Sequence, residues 1–480
     1  MNSRNEFNYR IFAFIFSTLI MVFGQPAWSA TFYVPDPCDP CATIQTAIDK
    51  ADSYDIIEVA AGIYSGDGYW DLDFHGKAIT VISSDPCDPC ATVIDCSDLL
   101  DGFHRGFYFH SGEEPNAIVE GFTITNGRGV VGGGICCDKG SSPTIKNCII
   151  SNCAVTGIGG AIYCNDSSNP LIDNCRIVAN SAELYGGAVM CWQSNPTIKN
   201  TVICGNSAHN GGGLGCLNQS EVYVSNCTIF SNRANALDGW GGGIYCAYDG
   251  TSLNIINSVL WGNTADEGNQ IAIDSTGHNV TCAILYCDVR AGLGDIAIAD
   301  PCNSSVSWGP GNIDKDPCFA QPGHWDGNLL PDPCDDFWVA GDNHLKSQAG
   351  RWDPTANAGL GGWVIDLVTS PCIDTGNPGS PLADEPCDVN NVRVNMGAYG
   401  GTNHASKTPP GWGKLADLNN DGFVNLLDFA IMAADWLNSR DALPGDVNRN
   451  GTIDIADLEI MAGQWLINWQ SPPTEPPPVM

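Results

Sequence analysis

The stretch from Asp417 to Asp428 concentrates side-chain oxygens in a spacing suited to a metal ion. Asp417, Asn419, Asp421, Asn425 and Asp428 fall at loop positions 1, 3, 5, 9 and 12, Phe423 offers a backbone carbonyl at 7, and Gly422 at 6 permits the sharp bend. The same set returns 29 residues later as Asp446, Asn448, Asn450, Thr452, Asp454 and Asp457, with Gly451 at the bend. A flexible ligand set made only of oxygens selects calcium over zinc. The expectation is therefore two calcium ions, one per loop, with Asn425 and Asp454 acting through water.

A helix must follow each loop to hold it. Phe429/Leu458, Ile431/Ile460, Met432/Met461, Trp436/Trp465 and Leu437/Leu466 recur at the same 29-residue offset, and both runs have helical apolar spacing. Loop plus following helix, twice, with no incoming helix and with Asp at position 12, resembles the type I dockerin, an EF-hand-like family. The resemblance implies a small all-α calcium domain over residues 413–467 that docks onto a cohesin-like module or another cell-surface scaffold. Where many dockerins carry hydroxyl pairs for recognition, this chain has Leu426-Leu427 and Ile455-Ala456. The two faces differ, which argues against symmetric docking in two orientations.

Elsewhere groups fit for catalysis are sparse. Lyase chemistry on uronates needs a basic residue to abstract a proton and a cation to neutralise the carboxylate. Lys146, Asp173 and Lys199 recur at one outward position of successive repeats and are the nearest candidates. The same spacing also describes an exposed ion ladder worth ~0–1 kcal/mol per pair. His75, His110 and His278 have no evident partner, and hydrolysis would need a carboxylate pair that the repeats do not display. Cys38/Cys41 and Cys87/Cys90 formally make a double C-x2-C set of the zinc-binding kind. Their Asp-Pro-Cys triplet recurs at Cys302, Cys318 and Cys334, which favours a habitual turn or bridge element.

The elements that carry these residues are periodic. Gly-Gly-(Gly/Ala)-(Ile/Val/Leu)-x-Cys recurs, ending at Cys137, Cys164, Cys191, Cys216 and Cys246, in steps of 27, 27, 25 and 30. Between these lie Ile-(Lys/Asp)-Asn-(Cys/Thr) phrases at 145–148, 172–175 and 198–201, and then an apolar residue three before Asn152, Asn180, Asn206, Asn232 and Asn263. Three short β-rich phrases per turn with Gly or Asn corners mark a solenoid. Successive coils ~4.8 Å apart turn each phrase into a ladder of stacked Ile, Asn or Cys. The helical phrase Thr43 to Ala51, before a strand over 55–59, would cover the first coil. These patterns resemble the pectate-lyase-like superfamily of right-handed parallel β-helices, with coils similar to polymorphic outer-membrane protein repeats. The fold class expected is all-β, a solenoid of roughly ten coils, plus the small α-helical dockerin domain.

The expected organisation is a signal peptide over 1–29, the β-helix over 30–320, an irregular C-terminal cap over 321–407, a linker over 408–412, the dockerin over 413–467 and a disordered tail over 468–480. The cap's phrases resemble the closing segment of bacterial exported β-helix proteins. A charged start, an apolar run from Ile11 to Phe23 and Ala27-Trp28-Ser29 read as an export signal, too short to span a bilayer at ~20 residues. With 20 basic against 54 acidic residues, a net charge of −34 excludes nucleic acid as a natural partner. The function expected is an exported, secreted or surface-held protein whose rod binds extracellular polysaccharide, with degradation by a hydrolase or lyase reaction left open, or else a non-catalytic adhesin or surface structural protein displayed through its dockerin. Trp192, Tyr223, Trp240, Tyr245 and Trp261 could stack on sugar rings, though packing against the rod is the commoner role for such residues.

Overall fold

Runs of two to six residues make the strands, and a left-handed residue follows many of them. The computed structural model describes residues 29–466 apart from 37, 40–41, 99–101, 236–237, 275–278, 327–336, 387–388 and 440–442. The export signal (save Ser29), the C-terminal tail, Cys41, His278 and Cys334 lie outside the described residues.

Among the described residues the strands form parallel sheets of eleven, nine, eight and five members that wind as a solenoid of about ten coils. The eleven-stranded sheet runs from Thr31–Val34 to Ser305–Trp308. Its inward row, Val119, Ile145, Ile172, Ile198, Val224, Ile255 and Ile284, is in strict register and fully buried. The stacked cysteines form a second inward row, in which Cys137, Cys164, Cys191, Cys216 and Cys246 pair coil to coil. The described cysteines are free thiols. Burial pushes those of Cys153, Cys227 and Cys287 up to about 12, so they pack as small neutral groups.

The corners explain the glycines and asparagines. Gly159 and Gly186 sit at φ 69° and 65°, while a Cβ on Gly160 would lie 2.1 Å from the Gly187 carbonyl oxygen of the next coil. The first glycine of each pair serves conformation and the second serves close approach. Asparagines divide into two columns. Asn147, Asn174, Asn200, Asn226 and Asn257 occupy left-handed corners at φ 48–54°. Asn180, Asn206, Asn232 and Asn263 point inward and are buried, each Nδ2 donating to the next Oδ1 or, at the end, to Gln270, over 2.7–3.0 Å. Each Nδ2 also donates to the carbonyl of Ile150, Ile177, Ile203 or Ile229.

Asn152 does not belong to that inner column, contrary to the sequence expectation. It is exposed in a left-handed corner at φ 56°, and Cys153 takes the inward place, its backbone N–H bonded to Asn180 Oδ1 at 3.0 Å. The step from Asn152 to Asn180 is 28 residues while the neighbouring cysteine step is 27, a slip of one position. A one-residue slip moves a side chain to the other face.

At the N-terminal edge, the helix Ile44–Lys50, capped by Thr43, buries Ile44, Ala47 and Ile48 against the first coils. Beyond the last coil, the chain turns back in antiparallel hairpins and irregular segments. These lie along the rod's flank, where Phe319, Trp338, Leu345, Ile373 and Met396 pack on Val202, Phe230, Val259 and Tyr286. Asn200 and Asn226 donate from their corners to the carbonyls of Ala398, Gly400 and Asn395.

Replacing Asn206 with Ala removes the acceptor of the buried Asn180 backbone N–H and of one Asn180 amide N–H, the other still bonding to Ile150 O. A loss of about 2–5 kcal/mol is expected, against about 1–2 kcal/mol for Asn174→Ala at an exposed left-handed corner. Urea unfolding of the two variants compares them.

Candidate functional site

The two loops fold as near copies. Asp417 Oδ2 accepts the Gly422 N–H at 2.9 Å, as Asp446 Oδ2 accepts that of Gly451 at 2.8 Å. Asn419, Asp421, Asn448 and Asn450 each accept a backbone N–H two residues on. Asn425 and Asp454 cap the helices Leu426–Ala434 and Ile455–Gln464, and Asp428 and Asp457 complete capping boxes. Position 12 therefore faces the loop and staples its helix, with Asp428 Oδ1 accepting from Leu418 and Asn419 and Asp457 Oδ1 from Asn448. Leu437 N donates to Ile453 O, and Leu466 N to Val424 O, tying each helix end to the opposite loop.

These residues fit calcium. Asp417 Oδ1 is buried without a hydrogen-bond partner. Burial pushes its carboxyl up to about 6, Arg393 pulls the other way and the charge of Asp428 adds to the rise. A bound cation satisfies that oxygen and removes the repulsion. Among the described residues no three His, Cys, Asp or Glu side chains converge as a metal site. The loops' donors are all oxygens, half of them carboxylates and half amides or backbone carbonyls, which suits calcium and not zinc. Asp417, Asn419, Asp421, Asn425 and Asp428 with the Phe423 carbonyl would hold one ion. Asp446, Asn448, Asn450, Asp454 and Asp457 with the Thr452 carbonyl would hold the other. Leu426, Leu427 and Ile455 are 61–70% exposed, and Leu426 joins Phe429, Leu458 and Trp465 in lining a depression of about 520 Å³.

On the rod, Lys146, Asp173 and Lys199 share one row with Glu120. Lys146 pairs with Glu120 at 2.8 Å and Lys199 with Asp173 at 3.1 Å, so each lysine is engaged by the preceding coil. His75 and His110, for which the sequence offers no partner, both lie against Asp73, at 2.9 and 3.6 Å. Of the five aromatics, Tyr245 is buried, Trp192 and Trp240 pack with it on an apolar cluster outside the eight-stranded sheet, and Tyr223 is 44% exposed. Arg290 lies over the Trp261 ring at 6.0 Å.

A site the sequence reading missed lies on the five-stranded sheet. A groove of about 460 Å³ crosses successive coils over a floor of Val155, Ala182 and Ala208, with Arg128, Glu183 and His209 on its walls. Ser181, Ser207, Asn235 and the 64%-exposed Phe103 complete it. Among the described residues Arg128, Glu183 and His209 make no ion pair, unlike Lys146, Lys199 and the histidines beside Asp73. The available signal is that Thr156, Glu183, His209 and Asn235 recur at 27, 26 and 26 residues.

Chelating calcium should melt the helices 426–434 and 455–464, seen as loss of helical circular dichroism that calcium restores and magnesium does not. Asp417→Ala should leave one calcium bound per chain by titration in place of two. An unchanged spectrum after chelation counts against the assignment.

Comparison with known proteins follows the same division. The right-handed β-helix region matches residues 72–229, and the dockerin type I domain matches residues 415–463. A search of curated proteins gives no match. Among solved structures, the crystal structure of the pectate lyase Pel9A aligns with 78% of this chain and 96% of its own, at 12% identity and a TM-score of 0.39. The chain is a right-handed parallel β-helix whose small helical C-terminal region matches the type I dockerin domain.

Proposed function

We propose that this is an extracellular, calcium-binding protein that holds polysaccharide on its β-helix and is anchored through its dockerin to a cohesin-type scaffold. The observation that carries the reading is the groove of Arg128, Glu183 and His209. It sets charged groups that make no ion pair among the described residues, hydroxyls, an amide and one exposed ring along several coils, the mixture that recognises a sugar chain. Two calcium ions in the dockerin loops keep its helices folded, and Leu426, Leu427 and Ile455 present an apolar face to the scaffold. Among the described residues no helix is long and apolar enough to cross a membrane.

The groove also supports a catalytic reading. Glu183 and His209 recur on adjacent repeats and can exchange protons, and Arg128 can neutralise a uronate carboxylate. Lys146 and Lys199 serve this less well, because each is already neutralised by a carboxylate.

The test incubates the protein with calcium against acidic and neutral polysaccharides, following retention, new reducing ends and unsaturated uronate absorbance. Arg128→Ala and His209→Ala should each weaken retention by about tenfold or more, since a charge-assisted contact is worth ~1.5–3 kcal/mol. Lys146→Ala and Lys199→Ala should leave it unchanged. Product lost in the groove variants would add an enzyme to the binder, product lost only in the lysine variants would move the site to the ladder, and no retention on any glycan would reject the reading.

A further inference from the structure

Dockerin and rod are in contact, and the contact runs through the metal loops. Position 4 of each loop, Asn420 and Arg449, has left-handed backbone at φ 57°. Asn420 Nδ2 donates to Gly311 O at 2.7 Å, just past the last coil, and to Thr375 O at 2.9 Å. Arg449 donates from Nε to Pro378 O and Ser380 O at 2.9 and 3.0 Å, and from Nη2 to Val392 O at 2.6 Å. From the opposite side comes Arg393, 1% exposed, over the Tyr286 ring at 5.5 Å. Its guanidinium donates to Gly376 O and Thr375 O in the flanking segment, and to Lys414 O and Asp417 O at 3.3 and 2.7 Å in the dockerin. The expected linker is seated as well, with Thr408 and Pro409 buried and the Trp412 indole N–H bonded to Ile373 O at 3.1 Å.

We infer that the two metal loops are also the surface by which the dockerin is clasped to the rod, so that calcium binding and docking of the 372–400 segment strengthen one another. The left-handed bend that aims Asn420 and Arg449 at the rod lies inside each calcium loop. A loop that relaxes without its ion loses that aim. Conversely, Arg393 holding the Asp417 carbonyl lowers the ordering cost that calcium must meet. Coupling between two sites is reciprocal, and its usual size corresponds to about 5- to 150-fold in affinity.

The test replaces both position-4 residues with glycine, Asn420→Gly plus Arg449→Gly. This keeps left-handed backbone accessible, removes the clasping side chains and touches no calcium ligand. Calorimetric titration of the full chain should show calcium binding weakened by roughly 5- to 100-fold. Hydrogen exchange should show residues 372–400, which hold no calcium ligand, losing protection on chelation in the parent protein and lacking it with calcium present in the double variant. Protection of the strands at 144–146 and 171–173 monitors the fold of the rod. Equal calcium affinity in the two proteins, a 372–400 segment indifferent to calcium, or no calcium binding by the parent would overturn the inference.

Discussion

Register between coils is the constraint on which the molecule depends. In a parallel solenoid each strand's N–H and C=O groups find partners only on neighbouring coils, and no coil buries its own apolar face unaided. Whatever stands at one position must therefore tolerate its counterpart ~4.8 Å away. Branched aliphatics and thiols do so by packing. The primary amide does so by donating to one neighbour and accepting from the other, which lets Asn180, Asn206, Asn232 and Asn263 run a polar column through an apolar interior. Each amide also donates to the carbonyl of a strand residue on the preceding coil.

Repetition creates open edges, and the non-repeating parts are spent on covering them. The N-terminal helix covers the first coil with Ile44 and Ile48. The hairpins after residue 318 cover a flank, where outward Val202, Phe230 and Val259 would otherwise face water. One residue type serves both regimes. Asn174 donates from its corner to Asn147 in the ordinary ladder, whereas Asn200 and Asn226, with the same backbone, give their amides to the flanking segment. Arg393 is the far end of that arrangement, a buried cation satisfied by carbonyls from two parts of the chain.

Charge follows a comparable division. An excess of 34 negative charges leaves few cations, and several are committed: Lys146 and Lys199 in the ladder, Arg393 and Arg449 at the dockerin. Arg128 stands apart in facing a groove that Glu183 and His209 line on later coils. In a chain so acidic, a cation with no ion pair among the described residues, lining a groove with hydroxyls and an exposed ring, is more informative than any lysine chosen for its spacing alone.

Much of this was legible in the sequence because a solenoid maps chain period onto space. Residues one repeat apart are neighbours, so the cysteine row, the isoleucine row, the Lys/Asp/Lys alternation and the duplicated loops could be read as contacts before any coordinate. The exceptions are equally physical. Asn152 was misplaced because the coil length changes by one residue there, and one residue exchanges inside for outside. Glu183 and His209 carry the repeat period, but nothing in the chain says that their sheet forms a groove. What only the tertiary structure decided is what lies against what once the period stops: Asn200 against Gly400, Asn420 against Gly311, Arg393 against Asp417. These pairs have no spacing rule, because side chains on irregular segments meet through packing of the whole chain and not through a repeated step.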